Sequence, residues 1–168
     1  KNSYKISKEI FTSERVRSQT HDSVIREKII ILCLIKNPFL LFKYTEELGK
    51  IRFNDLNLST LVSEILEFSI SESDKGLENY DLKSYLLQRG LNQEIKYIYQ
   101  PNLLNTYSSI FRNTKEAVEK SFIGLLKLHE TLVNAGDLNL AFNDLEEKMD
   151  DESFENFVRI KKESLKKN

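Results

Sequence analysis

The stretch Arg26-Glu-Lys-Ile-Ile-Ile-Leu-Cys-Leu-Ile-Lys-Asn-Pro38 decides the fold class of this chain of 168 residues. Positions 29–35 within it are all apolar, so a helix over this stretch presents an apolar surface on every side. Such a helix is stable in water only when other elements surround it. The apolar run is far shorter than the roughly 20 residues needed to span a bilayer. The stretch therefore predicts the central helix of a water-soluble helical bundle.

Outward from this helix, the sequence continues as a series of helices with recognisable ends. Proline is favoured at the first position of a helix and glycine just after its end. Only five glycines and two prolines are present, which argues against architectures built from strands and turns. The predicted helices are 23–36, capped by Asp22 or Ser23; 38–48, beginning at Pro38 and ending at Gly49; 57–68, capped by Asn57 and followed by a loop at 69–76; 80–89, ending at Gly90 with Leu91 folded back on Leu86; and 92–99, closed by Pro101.

The C-terminal part of the chain has a different pattern. Residues 113–149 predict one long helix with an apolar stripe, interrupted at 134–137 by poor helix formers that favour a bend. Asp150 and Asp151 form a tight corner, and Asp151 is placed to cap a last helix. Two helices joined by so short a connection pack antiparallel. The predicted fold is therefore all-α: a helical bundle followed by a long connecting helix and a C-terminal antiparallel helical hairpin. The predicted divisions are a linker at 1–22, a helical bundle subdomain at 23–133 and the hairpin at 134–168, whose last helix covers 152–166.

Composition and motifs argue against catalysis and against nucleic-acid binding. The 25 basic and 26 acidic residues leave no broad field for nucleic acid or anionic lipid. His21 and His129 lie far apart in the sequence and have no metal-ligand spacing. The acidic cluster at 146–152 lacks a calcium-loop pattern and is typical of a solvated helix tip. Since no phosphate-binding glycine loop or activated nucleophile is recognisable either, we expect a non-enzymatic chain without metal or other cofactor.

Cysteine usage bears on the compartment. Cys33 is the only cysteine, so no internal disulfide can form and a reducing environment is favoured. Because Cys33 lies within the apolar run, the pattern predicts a packed small hydrophobe rather than a reactive thiol. Residues 1–10 lack the apolar core of a signal peptide. These features predict a cytoplasmic protein without a membrane span.

The order of these elements resembles the C-terminal, helicase-binding domain of bacterial DnaG-type DNA primases. Arg26 and Glu27 lead an all-apolar helix that ends at Asn37-Pro38, as the opening helix of that domain does. Residues 46–48, 51–53 and 58–68 are similar to its second and third helices, and residues 82–91 to its leucine-rich helix ending in glycine. Residues 150–160, an acidic turn followed by Glu-Asn-Phe, are similar to the start of its last helix. The resemblance covers about residues 22–167.

The resemblance implies a partner and a role. In that family the terminal hairpin binds the N-terminal domains of the hexameric, DnaB-type replicative helicase and couples priming to unwinding, while the zinc ribbon and polymerase core lie upstream. Met149 and Phe154 flank the corner and are the preferred contacts, since apolar anchors within a charged rim are typical of binding hot spots. Each apolar candidate is equally suited to packing within the hairpin. The candidate helicase-contacting residues are Leu145, Glu146, Met149, Glu152, Phe154, Phe157, Val158 and Lys161.

Three alternatives remain open at this point. The N-terminal domain of the helicase itself shares the bundle fold in the family view, but residues 52–56 lack its aromatic segment and histidine. An enzyme built as a helical bundle around an unrecognised cofactor would retain a chromophore or a metal. A generic helical adaptor has the same composition and the same periodicity.

Overall fold

A computed structural model describes residues 21–72, 81–111 and 113–166, and within those ranges every regular element is a helix. The predicted all-α class is thereby confirmed. The helices are α1 at 21–36, α2 Phe39–Lys43, α3 Thr45–Lys50, α4 Leu56–Glu72, α5 Leu82–Gln88, α6 Asn92–Ile98, α7 Pro101–Thr106, α8 Ser108–Phe111, α9 Lys115–Lys148 and α10 Asp151–Lys166.

The chain falls into two compact units, Lys1–Leu126 and Lys127–Asn168. The division lies within α9. The sequence predicts the boundary between the bundle subdomain and the hairpin between residues 133 and 134, and that boundary stays a prediction. The predicted linker at 1–22 lies mostly outside the described residues. Its last two residues, His21 and Asp22, are the first helical residues described in α1.

The first unit is organised around the apolar run of α1. Residues 29–35 are buried, and Ile30 through Leu34 are fully so, as predicted for a central helix. Burying one such side chain contributes roughly 1.5–3 kcal/mol. The other buried side chains that complete this core are Leu40, Leu41, Leu48, Phe53, Leu58, Leu61, Val62, Ile65, Phe68, Leu82, Leu86, Ile95, Ile98, Phe111, Val118, Phe122 and Leu126.

The single helix predicted over 38–48 is two helices. The backbone leaves the helical region at Tyr44, with φ −122° and ψ 25°, and α3 begins at the next residue. The Thr45 hydroxyl donates to the Leu41 carbonyl at 2.7 Å, so a side chain binds a carbonyl at the break. Gly49 does not end a helix, because α3 continues to Lys50 and stops where Ile51 becomes extended.

Two predicted N-caps are wrong. The helix predicted to be capped by Asn57 begins at Leu56, and Asp55 is its cap, because Asp55 Oδ1 accepts the Leu58 amide at 3.1 Å. Asp22 and Ser23 lie inside α1. The loop predicted at 69–76 is wrong for residues 69–72, which extend α4, and its remainder lies outside the described residues.

The glycine end of α5 is confirmed. Gly90 has φ 86°, the left-handed conformation that glycine adopts without steric cost. Its amide donates to the Leu87 carbonyl at 3.1 Å, and the Leu91 amide donates to the Leu86 carbonyl at 3.1 Å, which is the Schellman pattern. The helix predicted to be closed by Pro101 does end before it, at Ile98. Pro101 also begins a helix that was not predicted, α7, where its missing amide costs nothing.

The interruption predicted at 134–137 is not seen, because α9 is helical from Lys115 to Lys148. Asn134 and Gly136 are weak helix formers, but each costs only about 1 kcal/mol or less in a helix interior. The long helix on both sides supplies the neighbouring turns that such residues need.

Candidate interaction surface at the C-terminal corner

Met149 forms the corner between α9 and α10, and its backbone is unusual. Its φ is 48°, so it occupies the left-handed position that usually holds glycine after a helix. Its amide donates to the Leu145 carbonyl at 3.0 Å, which satisfies one of the last carbonyls of α9. The side chain is 82% exposed. The corner therefore holds a large apolar side chain in water on a backbone that disfavours it.

Asp150 caps the helix that follows. Its Oδ1 accepts the Ser153 amide at 2.8 Å, and its carbonyl accepts the Ser153 hydroxyl at 3.0 Å. The hydrogen bonds from the Ser153 amide and hydroxyl lower the pKa of the Asp150 carboxyl. The prediction that Asp151 is the cap is wrong, because Asp151 is already the first residue of α10. With both aspartates adjacent in sequence, only the observed hydrogen bond distinguishes the cap from the first helical residue.

One side of α10 carries its less exposed residues. Ser153 is buried, and Phe157, Ile160 and Ser164 are half-buried. These four residues share one face at helical spacing, and we call this face the inner stripe. The Phe157 ring lies 5.9 Å from the ring of Phe142 on α9, at a tilted angle of 59°. This geometry is favourable for an aromatic pair, so Phe157 packs against α9.

A second apolar stripe runs beside the first, rotated by about 100° around α10. It consists of Phe154, Val158, Lys161 and Leu165, and we call it the outer stripe. Phe154 is 56% exposed and Leu165 69% exposed. Lys161 Nζ lies 5.9 Å from the centre of the Phe157 ring, so its alkyl stem follows the apolar surface while its charge stays in water. The outer stripe is therefore the apolar surface that α10 leaves in solvent.

Charges along α10 are separated by sign. Acidic residues, including Asp151, Glu152 and Glu155, occupy the half beside the corner, and most basic residues occupy the other half. The acidic side chains lie at the positive end of the helix dipole and the basic ones at its negative end. Within the basic half, Arg159 forms an ion pair of 3.3 Å with Glu163. The outer stripe thus changes from an acidic to a basic surround along its length.

The eight residues predicted to contact a partner are divided by the structure. Phe157 lies on the inner stripe and packs against Phe142, and its contact with a partner stays a prediction. Leu165, which the prediction left out, is a member of the outer stripe, and its spacing of seven residues from Val158 is the signal that identifies it. Of the others, Met149, Phe154, Glu146, Glu152 and Lys161 are exposed, whereas Leu145 and Val158 are half-buried.

A polar cluster in the first unit escaped the sequence analysis. Glu27 is fully buried and accepts three hydrogen bonds: from the Ser23 hydroxyl at 3.0 Å, the Asn54 amide at 3.0 Å and the Asp55 amide at 3.1 Å. Its two backbone partners lie 27 and 28 positions away in the chain, so no local pattern could have indicated them. Since its carboxylate binds successive backbone amides before α4, its role is to fix α1 against that segment.

Asp55 extends this cluster towards α6. Besides capping α4, it accepts a hydrogen bond from the Tyr97 hydroxyl at 3.0 Å. Lys28 Nζ lies 3.4 Å from the centre of the Tyr97 ring, a close cation–π contact. Burial lowers the pKa of Lys28, and the Asp55 carboxylate partly offsets this; burial also raises the pKa of Tyr97, as does its hydrogen bond to Asp55. The cluster joins three helices.

Cys33 is a packing residue, as predicted. It is fully buried, and burial raises the pKa of its thiol to about 12. The reactive species is the thiolate, which is scarce at neutral pH when the pKa is so high. In the described ranges no three His, Cys, Asp or Glu side chains are grouped so that they could hold a metal ion. Within the same ranges, no helix has the length and apolar character required to cross a membrane.

Comparisons with known proteins return no relative. The chain matches no protein-family model, no curated protein and no solved structure.

Proposed function

We propose that this chain is a non-catalytic protein-interaction domain that binds the N-terminal domains of a DnaB-type hexameric replicative helicase, in the manner of the helicase-binding domain of DnaG-type primases. In this proposal the domain couples priming to unwinding in the cytoplasm and needs no cofactor of its own. The proposed arrangement is a helical bundle, a long connecting helix and a C-terminal antiparallel helical hairpin.

The exposed apolar pair at the corner carries the proposal. Met149 and Phe154 are 82% and 56% exposed, although moving either side chain out of water would be favourable. Exposed apolar side chains surrounded by charge are the usual build of a docking surface. The left-handed backbone of Met149 adds to this, because strained residues persist where a function requires them.

The hairpin is supported by the connection between α9 and α10. Only Met149 and Asp150 separate the two helices, and so short a connection places neighbouring helices antiparallel. Phe142 and Phe157, which lie in contact, are each seven residues from the nearer corner residue. This equal spacing is what an antiparallel pair requires.

Binding should depend on the exposed pair and not on the stability of the fold. We expect calorimetric titration of the whole chain into the isolated N-terminal domains of the replicative helicase from the same organism to give saturable binding. Met149→Asp and Phe154→Asp should each weaken it by at least about tenfold, as truncation of a hot-spot residue does. Neither change should unfold the chain, because aspartate tolerates a left-handed φ and suits the first turns of a helix.

Leu56→Asp is the matched control. Leu56 is 81% exposed, nearly the same as Met149, and begins α4 directly after its cap. The Leu56→Asp substitution should leave binding to the helicase domains unchanged. Absence of binding by the folded wild-type chain to intact helicase domains would overturn the proposal. Equal losses in Leu56→Asp and Met149→Asp would show that the corner is not the contact.

A further inference from the structure

The outer stripe of α10 is complementary to a second copy of itself. Two of its members, Phe154 and Lys161, are followed on the side away from the inner stripe by Glu155 in the acidic half and Lys162 in the basic half, both exposed. These two residues are seven positions apart and therefore lie on the same face. We propose that two copies of the chain associate through antiparallel packing of their outer stripes. This inference does not rest on the proposed function.

The spacing of the stripe fixes the register. Its members alternate at intervals of four, three and four residues, as the core positions of a coiled coil do. When a second α10 runs antiparallel, Phe154 of each copy lies opposite Leu165 of the other, and Val158 lies opposite Lys161. Both pairs are symmetric about the same point, midway between Arg159 and Ile160. One two-fold axis therefore relates all the opposite pairs of the two stripes, as an isologous dimer requires.

The charges select the antiparallel orientation. In this register Glu155 of each copy is displaced along the helix axis by two residues, about 3 Å, from Lys162 of the other. The two long side chains span that distance, so two opposite-charge contacts form. Packing the helices parallel would instead bring the acidic halves together and the basic halves together, and like-charge juxtaposition is unfavourable. The net charge of −1 per chain adds little general repulsion between copies.

The complex should be weak and dependent on concentration. A single pair of helices of this length buries less than the roughly 1,600 Å² of a standard stable interface. The same outer stripe includes Phe154, which the proposed helicase contact uses. Self-association would therefore compete with binding of that partner and would prevail only where the chain is concentrated.

Sedimentation equilibrium of the whole chain over a concentration series tests the proposal. The wild-type chain should show a reversible monomer–dimer equilibrium. Glu155→Lys and Lys162→Glu should each weaken dimerisation by roughly tenfold, since two exposed ion pairs become like-charge contacts. The double variant Glu155→Lys/Lys162→Glu should regain wild-type affinity, and an equimolar mixture of the two single variants should form the heterodimer.

Glu116→Lys is the control, because Glu116 is an exposed glutamate near the start of α9, outside the outer stripe. The Glu116→Lys variant should dimerise with the same affinity as the wild type. Circular dichroism of each variant verifies that the helices are intact. A wild-type chain that stays monomeric at all concentrations would overturn the proposal. A dimer that is indifferent to both reversals, or is not restored in the double variant, would equally rule out pairing through α10.

Discussion

Glu27 and the backbone amide of Asn54 are joined by a hydrogen bond of 3.0 Å, across 27 positions of sequence, within the core of the first unit. The second oxygen of the same carboxylate accepts the amide of Asp55. The turn that begins α4 is therefore fixed from outside by one buried side chain, and Asp55 is thereby placed to cap that helix and to accept the Tyr97 hydroxyl.

Replacing Glu27 with glutamine should destabilise the first unit. Glutamine offers one acceptor oxygen in place of two, so one of the two backbone amides loses its partner at the edge of the core. An unsatisfied buried group costs about 1–3 kcal/mol, and because Asn54 is exposed and Asp55 half-buried, we expect a loss of about 1 kcal/mol in urea denaturation. Glu46→Gln, at an exposed position of α3, is the control. Equal midpoints for the two variants would contradict the assigned role of Glu27.

Removing the cap of α10 should loosen that helix in a pH-dependent way. Asp150→Ala deletes the acceptor of the Ser153 amide, so amide exchange at the start of α10 should become faster. The pKa of Asp150 is lowered below its ordinary value of 3.8 by its bonds with Ser153. A lowered carboxyl pKa contributes stability that is present above the unfolded-state pKa and is lost as pH falls through the folded-state pKa.

The difference in exchange between wild type and Asp150→Ala should therefore be constant near neutral pH and shrink below about pH 4. Asp151→Ala removes the neighbouring carboxylate without removing the cap, and its effect should be the smaller of the two. The reverse order would restore Asp151 as the cap, as the sequence alone suggested.

Met149→Gly should stabilise the corner. The left-handed conformation costs an L-residue roughly 1–2 kcal/mol. Glycine removes that cost, but it loses more backbone entropy on folding, which costs about 0.5–1 kcal/mol. A net gain of roughly 0.5 kcal/mol is expected, measured as slower amide exchange across α10. Glu147→Gly, two residues earlier in helical backbone, should have the opposite sign. A destabilising Met149→Gly would mean that the methionine side chain packs within the fold.

Glycine-to-alanine changes at two positions should have opposite signs. Gly90 has φ 86°, and an alanine there takes on left-handed strain of roughly 1–2 kcal/mol. Gly136 is helical, and an added Cβ meets no atom within 4 Å, so alanine should stabilise by up to about 1 kcal/mol. Thermal denaturation of the two variants gives the comparison. Stabilisation by Gly90→Ala would be incompatible with the Schellman ending of α5.

Cys33 should resist alkylation while the chain is folded. Its thiol is buried, and its pKa is raised to about 12, so little thiolate exists at pH 8. Iodoacetamide labelling followed by mass spectrometry should proceed only at the rate of unfolding and become fast in denaturant. Rapid labelling of the native chain would place Cys33 at the surface and would remove α1 from the centre of the first unit.

The features that could be predicted from sequence were those determined by nearest neighbours. The uninterrupted apolar run at 29–35 is buried, and Gly90 ends α5 with the backbone that glycine permits. The errors arose where two adjacent residues were equally suited to one role, as at Asp150 and Asp151. Pro101 follows the end of one helix and begins another, and the sequence predicts only the end.

The candidate surface was predictable only in part, for a similar reason. Apolar spacing places Phe154, Phe157 and Val158 on one broad face of α10, but it does not divide that face. The contact of Phe157 with Phe142 separates the packing residue from the exposed ones. The cluster around Glu27 lay beyond sequence reasoning altogether, because its members meet only after the chain has folded.

Position 149 has a consequence for directed evolution of this chain. Its backbone angle favours glycine, whereas the proposed contact requires a large apolar side chain. Stability and binding therefore favour different amino acids at this position. A library randomised at that codon and screened for heat resistance should enrich glycine or asparagine. The same library panned on immobilised helicase domains should return methionine or leucine. A difference between the residues enriched in the two screens would show that position 149 favours partner binding at the expense of thermal stability.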